Sequence, residues 1–137
     1  MAFGARISAN IDTGPREGVS LGHHQTVVFD QAVTNVGNAY NPTNGIFTAP
    51  VPGVYVFYLN LMTPSHNHGH HTLAITKNGA VLDVVYAEGQ ADQDDQGSSQ
   101  VATHLVTGDQ VWVRQNTGDA IRGDWWTIFT GFLLQAD

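Results

Sequence analysis

Short apolar runs separated by turn residues follow one another along the whole chain of 137 residues. No stretch sustains the apolar period of an amphipathic helix, and the runs are rich in Val, Ile, Phe, Tyr, Trp and Thr, which favour strands. The predicted strands cover residues 3–9, 25–30, 45–48, 53–63, 71–77, 80–87, 98–107, 110–115 and 126–135. Asn78-Gly79 predicts a type I′ hairpin turn, because both central positions of that turn need positive φ. The pattern therefore predicts an all-β protein.

The strand predicted over residues 53–63 is apolar on both of its faces. Tyr55 and Phe57 alternate with Val54 and Val56, and the strand over 126–135 behaves in the same way. A two-layer sandwich needs only one apolar face on each sheet. Two interpretations remain open, which are local crowding within the core and a contact between subunits.

The strand order also predicts which loops lie together. Successive antiparallel strands reverse direction, so alternate loops lie at the same end of a sandwich. The loops at residues 64–70, 88–97 and 116–125 are therefore expected at one end, which we call the apex. The Asn78-Gly79 turn and both termini are expected at the opposite end, the base.

The charge pattern excludes several classes of partner. The net charge is −7, and the five basic residues are scattered along the chain. A nucleic-acid-binding protein needs a clustered basic surface, and binding to an anionic membrane needs a polybasic patch. No apolar run reaches the length of a membrane-spanning helix. We therefore expect neither nucleic-acid binding nor membrane insertion.

The sequence does not indicate an enzyme. It contains no cysteine, no G-x-S-x-G motif and no P-loop. His68-Gly-His70 superficially matches the H-x-H metal motif of the cupins, but the next glutamate, Glu88, lies too far along the chain. A binding protein is the expected class.

A set of mostly aromatic residues recurs at fixed intervals in the first half of the chain, with the spacing F-x5-N-x4-Y-x6-F-x5-G-x-Y-x-F. These residues are Phe29, Asn35, Tyr40, Phe47, Gly53, Tyr55 and Phe57. The pattern, together with GDQVWV at 108–113 and FTGFLL at 129–134, resembles the globular head of the complement C1q family. The pattern of that family has one further aromatic position, which is Leu59 in this chain and is the only departure from the resemblance.

This resemblance implies a single C1q-like domain over residues 1–137, folded as a two-sheet antiparallel jelly-roll sandwich of the tumour-necrosis-factor-like type. It also implies a homotrimer, which here would rest on the head alone because the chain has no collagenous Gly-X-Y repeat. Residues 1–4 are not a signal peptide, and the resemblance favours a secreted protein of innate immunity.

Four carboxylates lie within eight residues of one apex loop: Glu88, Asp92, Asp94 and Asp95. Hard cations such as Ca²⁺ prefer carboxylate and carbonyl oxygens. By resemblance, Asp95 matches one calcium-ligand position, whereas the other is occupied by Ala87, for which Glu88 or Asp94 would have to substitute. A solvated acidic loop is the alternative.

Histidines alternate in another apex loop, where His66, His68 and His70 would share one face of an extended segment. Imidazoles at this spacing suit Zn²⁺ or another divalent transition metal. The alternative is a polar surface loop with incidental affinity for metals. His104 is expected to be a satisfied strand residue.

Two adjacent tryptophans, Trp125 and Trp126, lie in the third apex loop beside Asp119, Arg122 and Asp124. An indole can stack on the C–H face of a sugar while the polar neighbours bind its hydroxyl groups. The alternative is that one indole caps the core and the other packs at a subunit boundary. The leading hypothesis is a lectin-like trimer that binds microbial or other glycans, with a trimeric receptor ligand or a divalent-metal-binding protein as the alternative.

Overall fold

The computed structural model describes residues 1–8, 19–20, 22–64, 69–89, 93–118, 120–123 and 125–137. Strands make up almost all of its regular structure, and the described residues include no helix that is long and apolar enough to cross a membrane. The strands are β1 (Ala2–Arg6), β2 (Val19–Ser20), β3 (Gln31–Val36), β4 (Tyr40–Asn41), β5 (Ile46–Thr48), β6 (Gly53–Thr63), β7 (Gly69–Lys77), β8 (Ala80–Gly89), β9 (Asp95–Leu105), β10 (Gln110–Thr117), β11 (Ala120–Ile121) and β12 (Ile128–Ala136).

Two five-stranded antiparallel sheets form the sandwich. Sheet 1 has the order β3-β1-β12-β6-β9 and sheet 2 the order β4-β5-β10-β7-β8, while β2 and β11 form a small separate pair. The predicted two-sheet, all-β architecture is therefore confirmed. Asn78 and Gly79 have φ angles of 52° and 90°, which confirms that both positions of this hairpin turn are left-handed.

One predicted strand is wrong. Residues 25–30 form no strand of either sheet but run along β10, with a single bridge between Thr26 and Arg114. The apolar alternation there arises because Val27 and Phe29 are buried in the core. On the side of β1 away from β12 the paired strand is β3, which the prediction missed because its exposed, largely polar sequence shows no buried face.

The core lies between the two sheets and consists largely of aromatic rings. Alternate residues of β6, from Tyr55 to Leu61, are fully buried on the inner face. Phe57 packs against Phe129 with ring centroids 6.0 Å apart, and Phe3 stacks on Tyr40 at 4.5 Å. These rings join strands of both sheets, so their burial fixes the pairing of the layers.

The residues of the spaced motif in the first half of the chain build this core and hold the turns and strands around it. Tyr40 is 1% exposed, and its hydroxyl donates to the Phe29 carbonyl at 2.8 Å. The Asn35 amide donates to the Tyr40 carbonyl at 2.8 Å, which holds the turn between β3 and β4. At Gly53 a Cβ atom would lie 2.4 Å from the Gln135 carbonyl, so only glycine fits between β6 and β12.

The outer face of sheet 1 remains apolar, as the sequence predicted. Val56 of β6 is 7% exposed, while Phe132 and Leu134 of β12 are 41% and 61% exposed. Phe132, at the middle of β12, lies directly beside Val56 in the sheet, and Leu134 lies nearer the base. We call this group the apolar strip; Val56 is buried by its neighbours in the chain, whereas Phe132 and Leu134 stay exposed.

Candidate functional site

The three predicted apex loops meet at one end of the sandwich. The end of β6 at Thr63 pairs with the start of β9 at Asp95, and the start of β12 at Ile128 pairs with Asn60. Gly69 and Gly89 pair at the same end of sheet 2. The strand registers therefore confirm the predicted apex for the described residues. Residues 65–68, 90–92, 119 and 124 lie outside the described part of the chain.

Both tryptophans of the third loop are on the surface. The exposed fractions are 68% for Trp125 and 45% for Trp126. The backbone holds this segment, since the Trp126 amide donates to the Gly123 carbonyl at 3.1 Å and the Asn60 side chain donates to the Trp126 carbonyl at 2.7 Å. Neither indole caps the core of this chain. The two aspartates predicted beside them, Asp119 and Asp124, lie outside the described residues.

Arg6 is a neighbour of Trp125 that the sequence did not reveal. Its guanidinium carbon lies 4.1 Å from the centroid of the Trp125 ring, which is cation–π geometry. The contact exists because β1 pairs with β12 and places Arg6 opposite Ile128 at the apex end of sheet 1. The only signal in the sequence was a single long, charged side chain on a strand of otherwise small or aromatic residues.

Arg122 connects two of the predicted sites. Its Nε atom lies 2.6 Å from Oδ2 of Asp94, and its backbone amide donates to the Met62 carbonyl at 2.8 Å. An arginine predicted to contact sugar is therefore ion-paired with an aspartate predicted to contact calcium. The two loops are held together by this pair, and both side chains are partly shielded from solvent.

The described carboxylates of the acidic loop line a recess of about 260 Å³ together with Tyr86 and Gln93. The Glu88 amide donates to Oδ2 of Asp95 at 2.8 Å, and the Tyr86 hydroxyl donates to Oε2 of Glu88 at 2.8 Å. This hydrogen bond is the main reason that the pKa of Tyr86 is raised above its usual value.

The carboxylates of this loop already have internal partners. Asp94 is bound by Arg122, and Asp95 accepts a backbone hydrogen bond. Ala87 points into the core and is fully buried. Within the described residues, no group of three or more His, Asp and Glu side chains is arranged to hold a metal ion. Asp92 lies outside those residues, and calcium binding stays a prediction.

At the start of β7, two neighbouring histidines of this loop lie on opposite faces of the sheet. His70 is exposed and stacks on Tyr86, with ring centroids 5.5 Å apart and an interplanar angle of 15°. His71 faces the core and is 2% exposed. His66 and His68 lie outside the described residues, so transition-metal binding stays a prediction. At the base, His104 contacts Asp137 at 2.9 Å, in agreement with the prediction of a satisfied strand residue.

Sequence comparison identifies relatives of the whole domain. A sequence model of the C1q domain family matches residues 13–134. The chain is 32% identical to caprin-2 of Danio rerio over 139 residues, which is 100% of this chain and 14% of that protein. It is also 32% identical to complement C1q tumor necrosis factor-related protein 3 of Homo sapiens, over 79% of this chain and 44% of that protein. The chain thus spans less than half the length of these curated relatives.

Solved structures agree with the fold. The globular domain of zebrafish complement 1qA has a TM-score of 0.78 and 21% identity, covering 99% of this chain and 98% of that structure. Eiger TNF from S. frugiperda has a TM-score of 0.77 and 14% identity, covering 100% of this chain and 94% of that structure. These similarities confirm the jelly-roll fold predicted from the sequence.

Proposed function

Because the chain belongs to the C1q domain family, we propose that it is a secreted binding protein of innate immunity, without enzymatic activity, that recognises microbial or other glycans through its apex. The observation that carries this proposal is the pair of neighbouring exposed indoles, Trp125 and Trp126. Large exposed aromatic side chains are unfavourable in water and mark surfaces that meet a partner. Both lie at the apex, where three loops meet and hydrogen-bonding groups are concentrated.

A sugar is the partner that this chemistry fits best. The apolar C–H face of a pyranose ring can cover an indole, and its hydroxyl groups need polar neighbours. Asp119, Arg122 and Asp124 directly precede the indoles in sequence, and the Arg122 backbone is anchored to β6. The small number of charged residues elsewhere leaves a neutral polar surface suited to uncharged hydroxyls.

We propose that three copies of the chain assemble through the apolar strip on sheet 1. Val56 and Phe132 lie side by side, and Leu134 extends the same surface toward the base. Burial of this strip would stabilise an oligomer without covering the apex loops, which lie at the other end of β12. A trimer would present three copies of the apex, so weak binding at each site would add up to high avidity.

Calcium is proposed as a component of the apex. Glu88, Asp92, Asp94 and Asp95 would supply oxygen ligands, of the type that Ca²⁺ prefers. Since Arg122 binds Asp94, a cation at this position would compete with the guanidinium for the same carboxylate. Calcium binding would thereby change the conformation of the loop that leads to the tryptophans.

A glycan array, run in calcium and again in EDTA, tests the proposal directly. The protein carrying both Trp125→Ala and Trp126→Ala is expected to lose about 2 kcal/mol of binding free energy, or roughly 30-fold in Kd. Thr107→Ala, an exposed substitution at the base, is the matched control. A blank array in both conditions, or full binding by the double variant, would contradict the proposal, and loss of binding in EDTA alone would assign a role to the metal.

A further inference from the structure

A groove of about 380 Å³ lies on the outer face of sheet 2, in the half nearer the base. We call it the asparagine groove, and its lining includes Asn38, Asn41, Asn44, Ile46, Thr48 and Gln110. Ile46 and Thr48 lie on the outer face because Phe47 between them is fully buried in the core. The base is close, since the Gln110 carbonyl accepts a hydrogen bond from the Asn78 amide of the hairpin turn.

The asparagine groove faces away from the surface proposed for assembly. The apolar strip lies on the outer face of sheet 1, whereas the groove lies on the outer face of sheet 2, and the core separates them. Within sheet 2 the groove is at the edge formed by β4 and β5. None of its lining residues, all of which the structure describes, is a large exposed apolar side chain. The core of a subunit contact is normally apolar, so this groove does not have the character of one.

The asparagine side chains of the groove are held in place by their own loop. Oδ1 of Asn41 accepts a hydrogen bond from the Thr43 amide at 2.8 Å, and Oδ1 of Asn44 accepts one from the Ile46 amide at 2.9 Å. Each is an Asx turn, in which the side chain bonds the backbone two residues on. The Gly45 amide closes the loop by donating to the Asn41 carbonyl at 2.8 Å. These side chains therefore need little further ordering when a ligand binds.

The NH₂ groups of Asn41 and Asn44 remain available to a ligand. Since the oxygen of each amide is turned toward the backbone, its NH₂ group points elsewhere, and neither NH₂ group has a hydrogen-bond partner among the described residues. The Gln110 side chain also forms no hydrogen bond within the described part of the chain. All three side chains are exposed. The groove therefore presents two oriented NH₂ groups, with two donors each, beside an amide that can both donate and accept.

The lining and the neighbouring strand edge favour a neutral sugar over a charged ligand or a peptide. None of the lining residues carries a formal charge. An extended peptide binds by adding to an unpaired strand edge. The edge of β4 is already occupied, because the Asn35 side chain donates to the Tyr40 carbonyl and accepts from the Tyr40 amide. Sugar hydroxyls both donate and accept, which matches carboxamides, and the half-buried Ile46 offers aliphatic surface to the C–H groups of a ring.

We propose that the asparagine groove is a second carbohydrate site, which binds a neutral hexose unit of a glycan. The inference goes beyond the proposed function, because the groove lies away from the apex and uses neither tryptophan. The NH₂ groups of Asn41 and Asn44 would donate to sugar hydroxyls, and the ring would lie against Ile46. The volume of the groove is within the range of small-molecule sites, about 300–1,000 Å³. With sugar sites at the apex and near the base, one oligomer could bridge two glycan-bearing surfaces.

The side-chain NH₂ signals in a nitrogen–proton NMR spectrum of the full chain report on this site directly. The probes are methyl α-mannoside, methyl β-glucoside and methyl β-galactoside, each of which is a single neutral hexose. At least one of them is expected to shift the Asn41 and Asn44 signals saturably. Added salt should leave the affinity unchanged, because no charges meet in the groove.

Asn44→Asp separates the donor from the fold. An aspartate keeps the oxygen that accepts from the Ile46 amide, and so keeps the Asx turn, but it replaces the NH₂ group by an acceptor. The Kd for the sugar should rise about tenfold, with thermal unfolding unchanged. Asn41→Asp should behave in the same way. Thr43→Asp is the matched control, because it adds the same charge to the same loop at a side chain that does not line the groove.

The outcomes distinguish this site from the apex. In the protein that carries both Trp125→Ala and Trp126→Ala the sugar-induced shifts should persist, and their loss would assign the sugar to the apex and overturn the inference. The inference also fails if none of the three sugars shifts the signals, or if Asn44→Asp and Thr43→Asp weaken binding equally, while the glycan array still decides the apex proposal. If Asn44→Asp changes the sedimentation of the oligomer, the groove is a subunit contact and the inference is wrong.

Discussion

Replacement of Gly118 by alanine probes the junction between β10 and the apex. Gly118 has a φ of +97°, and a Cβ atom there would lie 2.0 Å from Cδ2 and 2.6 Å from Cγ of His71. The His71 ring is buried and cannot swing into solvent. The Gln115 side chain, itself buried, donates to the Gly118 carbonyl at 2.6 Å and so restrains the backbone.

Two costs add up in this variant. A non-glycine residue at such a positive φ costs about 1–3 kcal/mol. Insertion of a methyl group against a packed ring costs about 1–3 kcal/mol more. Unfolding entropy of about 2.1 cal/mol/K per residue makes 1 kcal/mol worth roughly 3.5 °C in a chain of this length. The expected fall in Tm is therefore about 7–20 °C.

Gly108→Ala is the matched control, because Gly108 has a φ of +93° but nothing within 4 Å of the position that a Cβ atom would take. It carries the backbone cost alone and should lower Tm by about 3–10 °C. Thermal and guanidinium unfolding of the two variants, at equal protein concentration, gives the difference between them. That difference isolates the contact with His71.

A double-mutant cycle completes the test. His71→Ala removes the ring, so Gly118→Ala should cost about 1–3 kcal/mol less in that background than in the native chain. Equal losses for Gly118→Ala and Gly108→Ala, with no coupling to His71→Ala, would refute the packing of Gly118 on the ring.

Three other predictions concern the core and the base. Phe57→Ala, which removes a fully buried ring, should cost about 3–5 kcal/mol in chemical denaturation, and a loss below about 1 kcal/mol would contradict the register of β6. Tyr40→Phe leaves the Phe29 carbonyl without its donor and should cost about 1–3 kcal/mol, with little change in the far-UV spectrum of the folded state. The pKa of the Asp109 carboxyl is lowered, chiefly by a hydrogen bond from the Val106 backbone amide. Asp109 therefore stabilises the fold above the ordinary pKa of 3.8, and this contribution is lost as the pH falls below that value. The stability gap between the native chain and Asp109→Asn should therefore close between about pH 5 and pH 2, and a constant gap would exclude this assignment.

Much of the architecture was readable from local patterns. The alternation in β6 predicted two apolar faces, and the face that carries Tyr55 and Phe57 is fully buried. Asn78-Gly79 predicted its turn because few other dipeptides accept two positive φ angles. The failure at residues 25–30 has the same origin as these successes. Apolar alternation reports burial, and Val27 and Phe29 are buried without belonging to a strand.

The sequence by itself determined the sandwich, its aromatic core and the gathering of three chemically unusual loops at the apex. These features follow from periodicity, turn chemistry and the reversal of successive strands, all of which act over a few residues. Only the tertiary structure decided which side chains meet there. The contact of Arg6 with Trp125 depends on the register of β1 with β12, and the pairing of Arg122 with Asp94 depends on how two loops meet at the apex. A shift of one residue turns every side chain of a strand to the other face, and no local pattern specifies that choice for polar residues.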